Sequence, residues 1–308
     1  MVVVLASARE RSWQAGRPVD VHSTLAALRR GAGDPAHRVS ASGEFWWAAG
    51  TPDGDGTLAL RASDGTVAAR AWGPGAAWLL DGVPTLLGEG DDWSGLDLTG
   101  HDRLRAVLRR RPGMRLPCTG LVLDSLVPAV LEQRVTGLES RRSWRGLLRR
   151  FGTPAPGPAT DMQVPPTPSV LLDIPTWEWH RLGVDLPRQR AIRAAATVAG
   201  RLEECAGMTH EDALRRLRHV PGVGEWTAAE TAQRALGHPD AISVGDYHLK
   251  DIVAHYFTGR PRGTDDQMIE LLAPWAGQRQ RMTVLIELSG VGKPRFGPRF
   301  APTDIRRI

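Results

Sequence analysis

The sequence predicts an α+β fold: an N-terminal lobe on an antiparallel β-sheet, then a mostly α-helical domain. Three observations predict it. Short apolar runs split by turn residues fill the first hundred positions. Apolar residues then recur at spacings of three and four. Between two such helical stretches lies a hairpin, Val220-Pro221-Gly222-Val223-Gly224. The expected organisation is a sheet lobe over 1–115, a helical domain over 116–290 and a basic irregular tail over 291–308.

In the lobe, Thr24–Arg30 reads as a short helix. The runs Phe45–Ala48, Thr57–Ala62 and Thr66–Trp72 read as strands. Pro52–Gly56 and Ser63–Gly65 separate them with hairpin punctuation. From Leu121 the pattern is helical. Val127, Val130, Leu131, Val135, Leu138, Trp144, Leu147 and Leu148 predict a helical stretch over Ser125–Gly152. A proline-rich loop follows to Pro168. Helices are then expected over 168–173, 176–182, 187–206, 210–219, 225–236, 246–257, 264–275 and 280–289.

The bulk composition narrows the function classes. The chain has 308 residues, 42% of them hydrophobic, which allows a sizeable core. Its formal charge is +5, and Lys250 and Lys293 are the only lysines among 39 basic residues. Arginine suits bidentate phosphate contacts, so a polyanionic partner fits. The cysteines, Cys118 and Cys205, are too few for a disulfide framework, a zinc site or a four-cysteine iron–sulfur cluster. No apolar run reaches membrane-spanning length, and the Met1–Ala8 run lacks a basic leader region. A cytoplasmic monomer without a membrane partner is the expectation.

The hairpin carries the first functional signal. Pro221 ends the helix before it, and Gly222 and Gly224 allow positive φ and bare backbone. The next helix starts near Glu225, and its first N–H groups lack intrahelical partners. Such a helix start binds an anion, and a DNA phosphate fits there without any base being read. The second signal is Asp246, which follows Gly245 and lies twenty residues after Trp226. An Asp at a helix start is commonly a cap. Beyond a DNA-binding hairpin it also suits the charge of a breaking N-glycosidic bond, whose transition state resembles an oxocarbenium ion. A carboxylate there stabilises the sugar cation and orients water.

Val220 to Ala228, with Asp246 and Tyr247, resemble the helix-hairpin-helix DNA glycosylase superfamily (HhH-GPD). The most similar member type is the 3-methyladenine DNA glycosylase II (AlkA-like) group. Val127–Val135 is similar to the family helix that bears a Gln and a DNA wedge residue, here Gln133 and Arg134. The resemblance implies a monofunctional glycosylase that releases a damaged base, an alkylated purine foremost, from double-stranded DNA. It implies Asp246 as the catalytic carboxylate. Trp226, Tyr247 and Glu230 would face the base pocket. Pro221, Gly222, Val223, Gly224, Thr227, Gln133, Arg134 and Lys250 would contact DNA. Main-chain carbonyls of Arg218, Val220 and Val223 would hold a monovalent cation, with no other cofactor.

Two positions depart from the family. Trp226 occupies the place of the lysine nucleophile of bifunctional members, so no Schiff base is expected there. Glu230 falls where an aromatic partner of Trp226 is expected, and Glu287 falls near a second aromatic position. Either acid could attract a cationic base, or Glu230 could lie on a solvated helix face. The altered pocket leaves open a non-catalytic lesion-binding protein or a glycosylase for another damaged base. Trp46, Trp47, Trp72 and Trp78 are expected to pack the sheet lobe, and His248 to be an ordinary surface or core histidine.

Overall fold

The structure is a computed structural model that describes residues 7–292. The opening Met1 run and the arginine-rich tail from Lys293 therefore lie outside the described residues. The lobe runs β1 (Arg9–Gln14), α1 (Val21–Leu25), β2 (His37–Val39), β3 (Phe45–Thr51), β4 (Gly54–Ser63), β5 (Thr66–Trp72), α2 (Ala76–Asp81) and α3 (Val83–Leu86). Then come α4 (Asp102–Arg110), α5 (Val122–Leu131), α6 (Gly137–Phe151), β6 (Thr153–Pro154), β7 (Gln163–Val164), α7 (Pro168–Asp173), α8 (Thr176–Arg181), α9 (Leu186–Thr197) and α10 (Ala199–Glu203). The chain continues through α11 (His210–Arg218), α12 (Glu225–Ala235), α13 (Leu249–Thr258), α14 (Asp265–Leu272) and α15 (Arg279–Leu288).

The expected α+β order is present. The five-stranded antiparallel sheet has the order β1-β5-β4-β3-β2. Phe45, Trp47, Leu58 and Leu60 pack against α1, α2 and α3. On the opposite face Trp46 stacks on Trp72 at 5.3 Å, over the residues around β7. β1 and β2 escaped the sequence reading because Arg9–Gln14 is mostly polar and exposed and β2 spans only His37–Val39.

Three helical expectations need correction. The stretch over Ser125–Gly152 is two helices, separated where Arg134 takes φ +55°. Thr136 then starts α6 with a reciprocal capping box to Glu139. The expected helix over 187–206 breaks at Val198. The helix after Asp246 begins at Leu249. The structure also bears on the tryptophans: Trp179 is fully buried, whereas Trp177 lies in the open under the Arg181 guanidinium.

Two helical cores frame the site. One packs α5, α6, α9, α11 and α12, including Val220 and Val223 of the hairpin. α12 meets α5 through small residues, Ala228, Ala232 and Ala235, which allow close approach. Glu203 accepts from the Val122 and Leu123 amides at 2.8 and 2.9 Å and so caps α5 from 80 residues away. The other core gathers Leu104, Val107 and Leu116 with Ile242, Leu249, Val253, Leu285 and Ile286. Residues 93–116 thus pack with the last helices rather than with the sheet.

Candidate functional site

The hairpin is fixed from below and open above. Val220 and Val223 are buried, and the Val223 amide donates to the Val220 carbonyl at 3.0 Å. Gly222 takes φ +86°, and a Cβ there would meet the Ala191 Cβ at 2.7 Å. Glycine is thus required twice over, by backbone and by packing. Gly224 departs from the expectation of positive φ: it is extended, at φ −88°. Nothing lies within 4 Å of where its Cβ would stand. It starts α12 without a side-chain cap, so the amides of the first turn face outward. That is the arrangement an incoming phosphate needs.

Gln133 ties the end of α5 to this hairpin. Its Nε2 donates to the Gly222 carbonyl at 3.0 Å and to Thr227 Oγ1 at 2.8 Å. Thr227, expected against DNA, is buried and occupied by Gln133. Gln133 therefore positions the hairpin. The next residue, Arg134, is exposed on its left-handed turn, with no side-chain hydrogen bond or ion pair among the described residues.

Asp246 meets the start of α12. Its Oδ2 accepts from Trp226 Nε1 at 3.3 Å. Its Oδ1 accepts from the amides of His248 and Leu249 at 2.7 and 2.8 Å. Oδ1 is thus committed to the start of α13, while Oδ2 has a single long bond and spare acceptor capacity. Gly245 ahead of it takes φ +89°, and its amide donates to Asp265 Oδ1 at 2.8 Å. The carboxylate is half-buried.

Glu230 behaves unlike either sequence expectation. It is no solvated face: its side chain is 13% exposed. Its Oε2 accepts from Arg234 at 2.7 Å and its Oε1 from Ser243 Oγ at 2.5 Å. Burial acts to raise its pKa, but Arg234, Ser243 and Arg30 together hold it below the ordinary glutamate value. It is therefore a neutralised, occupied group that anchors the strand of chain leading to Asp246. Gln233 holds the same segment through Ala241 and Ser243, at 2.9 and 3.0 Å. His238 Nδ1 accepts from the amides of Asp240 and Ala241, both at 3.1 Å. Burial and then His210, stacked at 4.2 Å, push the His238 pKa down to about 4. The sequence reading missed Arg234 and His238. The four-residue spacing of Glu230 and Arg234 on one helix was the available signal.

Glu287 differs. It is exposed near the end of α15. Desolvation, then Glu230 and Asp246, push its pKa up to about 7, with Arg234 opposing.

The remaining candidates scatter. Lys250 Nζ donates to the Asp246 carbonyl at 3.2 Å and lies 3.5 Å from Asp265. Tyr247 is 76% exposed, edge-on to His248. Of the three hairpin carbonyls, that of Val220 already accepts one N–H. No cluster of three His, Cys, Asp or Glu fit for a metal occurs among the described residues. Among those residues, too, no helix is long and apolar enough to cross a membrane. Two surface recesses lie elsewhere, one of about 520 Å³ beside Arg61 and Arg70 and one of about 590 Å³ beside Arg103 and Arg111. Neither is lined by Asp246 or Trp226.

The fold thus brings a hairpin-borne Trp into contact with a carboxylate from the segment before the next helix. No protein-family model matches the chain. It is 35% identical over 152 residues to the probable bifunctional transcriptional activator/DNA repair enzyme AlkA of Mycobacterium tuberculosis. The match covers 48% of this chain and only 30% of that protein. Among solved structures, the 3-methyladenine DNA glycosylase from Archaeoglobus fulgidus superposes with a TM-score of 0.77 at 16% identity. That superposition covers 91% of this chain and 98% of the other. The Clostridium acetobutylicum 8-oxoguanine glycosylase/lyase, solved with DNA containing cytosine opposite 8-oxoguanine, gives 0.68 at 10% identity, over 92% and 97%. The chain is thus similar in sequence to an AlkA protein over about half its length, and it shares the fold of the Archaeoglobus fulgidus glycosylase.

Proposed function

We propose that this protein is a monofunctional DNA glycosylase, which hydrolyses the N-glycosidic bond of a damaged base flipped from duplex DNA. The observation that supports it most is the contact of Trp226 Nε1 with Asp246 Oδ2, at the foot of an open hairpin. In this reading the α12 amides and Gly224 hold a phosphate. Arg134 enters the gap left by the flipped nucleotide. The Trp226 ring offers a π-face to the base. Asp246 Oδ2 stabilises the positive charge growing on the sugar and takes a proton from the attacking water. An alkylated, cationic purine is the first substrate class, because it leaves without needing a proton. The protein acts as a monomer, and the Arg218, Val220 and Val223 carbonyls suit a monovalent cation, since Val220 O keeps a second lone pair.

No lysine stands at the hairpin position that Trp226 fills, and Lys250 Nζ is engaged by the Asp246 carbonyl and Asp265. The expected product is therefore an intact abasic site. The test is incubation with duplexes carrying 3-methyladenine, 7-methylguanine, hypoxanthine or 8-oxoguanine, with and without borohydride. Release of a free alkylated base without a trapped covalent adduct is the expected result. A borohydride-trapped adduct would establish lyase chemistry instead. Tight lesion binding with no base released from any duplex would establish a lesion-binding protein.

A further inference from the structure

The loop between α1 and β2 is tied to the same end of α5 as the hairpin, and its backbone suits an anion. Gly31 takes φ +81° and Gly33 φ +80°, with Ala32 at negative φ between them. Such alternation of hand makes a nest, in which successive main-chain N–H groups line an anion-binding concavity. The amides of Gly31, Ala32 and Gly33 have no acceptor among the described residues, and Ala32 and Gly33 are exposed.

Two arginines of α6 border this loop. The Arg141 side chain lies between two glycines. Its Cδ is 2.8 Å from where a Gly31 Cβ would stand, and its Nη2 is 3.3 Å from where a Gly137 Cβ would stand. Its exposed guanidinium has no hydrogen bond or ion pair among the described residues. Arg145 Nη1 lies 3.6 Å from the Cβ position of Gly33 and 3.5 Å from the Ala32 carbonyl.

The loop is fixed from beneath. Asp34 is fully buried, and it accepts from the Arg30 and Ala36 amides at 2.7 and 3.0 Å and from Trp144 Nε1 of α6 at 2.9 Å. The charge of Asp34 is thus used inside the protein and not at the loop surface. Arg30 Nη1 pairs with Glu132 Oε1 at 2.9 Å, and the next residue, Gln133, donates to the Gly222 carbonyl of the hairpin. Exposed Arg134 follows at once, and Gly137, under the Arg141 guanidinium, comes three residues later.

We propose that Gly31–Gly33 with Arg141 and Arg145 is a second phosphate site, which takes a backbone phosphate of the DNA strand opposite the damaged base. This rests on the reading of the protein as a binder of damaged duplex DNA and adds to it a grip supplied by the sheet lobe. The hairpin amides hold one strand, and Arg134 enters the gap in the stack. A site reached past Arg134 from the hairpin falls to the other strand. The arginines supply charge-assisted bonds and the nest supplies fixed amide donors, so the site positions the duplex without reading a base.

The experiment is binding of an abasic duplex, followed by fluorescence anisotropy across a salt series. Arg141→Gln should weaken binding by about tenfold and lower the slope of log affinity against log salt by about 0.9. Arg109→Gln removes the same charge from an exposed position of α4 and should do neither. Uncharged methylphosphonates, placed one at a time along the opposite strand, should weaken wild-type binding at one phosphate by the same factor. At that phosphate they should leave the affinity of Arg141→Gln unaltered. An unchanged salt slope in Arg141→Gln, an equal loss in Arg109→Gln, or coupling only to phosphates of the damaged strand would overturn the proposal. A wild type with no affinity for the duplex would remove the DNA-binding reading itself. Duplex affinity without such coupling would remove the second phosphate site alone.

Discussion

The two walls of the site are built on different electrostatic rules. On the α12 wall the acid is cancelled: Glu230 is buried, paired with Arg234 and bonded to Ser243. On the opposite wall the Asp246 carboxylate has no ion pair among the described residues; Lys250 donates to its main-chain carbonyl instead. The first wall holds the segment that carries Asp246. The second leaves one carboxylate unpaired where, in the proposed reading, a glycosidic bond develops positive charge. A shared acidic residue type therefore does two jobs, and the neighbouring arginine decides which.

Cancelling that difference should have the largest effect. Arg234→Met leaves the Glu230 carboxylate buried without its cation. The expected loss of folding stability is about 3–5 kcal/mol, read by urea denaturation. A loss below about 1 kcal/mol would mean that the pair does not anchor the wall.

A smaller effect should come from His238, which holds the start of the same segment through two amide bonds that need its unprotonated nitrogen. Its pKa is lowered from 6.5 to about 4 in the folded protein, so between those values the unfolded chain binds more protons. Stability is therefore complete above about pH 6.5 and declines as pH falls toward about 4, by at most about 3 kcal/mol. Denaturation midpoints measured from pH 7.5 to 4.5 should show the decline, and His238→Gln should reduce it. An equal decline in both proteins would remove His238 from the account.

Much of this arrangement was legible because it is local. Pro221 and Gly222 announce the hairpin by backbone chemistry, and Gly245 before Asp246 marks a turn before a helix. The strand runs of β3, β4 and β5 are short and apolar and are bounded by Gly and Asp turn residues. What escaped was set by distance along the chain. The bond from Gln133 to Gly222 joins residues 89 positions apart, and it turned Thr227 from an expected DNA contact into a buried partner. The capping of α5 by Glu203 is equally remote. The break at Arg134 was hidden because Val130, Leu131 and Val135 keep helical spacing across a left-handed residue. The fate of Glu230 was a near miss, since Arg234 stands one turn away on the same face.

In the proposed reading Asp246 performs hydrolysis through an Oδ2 that no cation occupies. Asp246→Asn tests it cleanly, because the Asn oxygen can still accept the His248 and Leu249 amides and so preserve the start of α13. Single-turnover release of 7-methylguanine should fall by at least about 1,000-fold, with duplex affinity changed by less than about tenfold. Release at the wild-type rate, with binding intact, would contradict the claim.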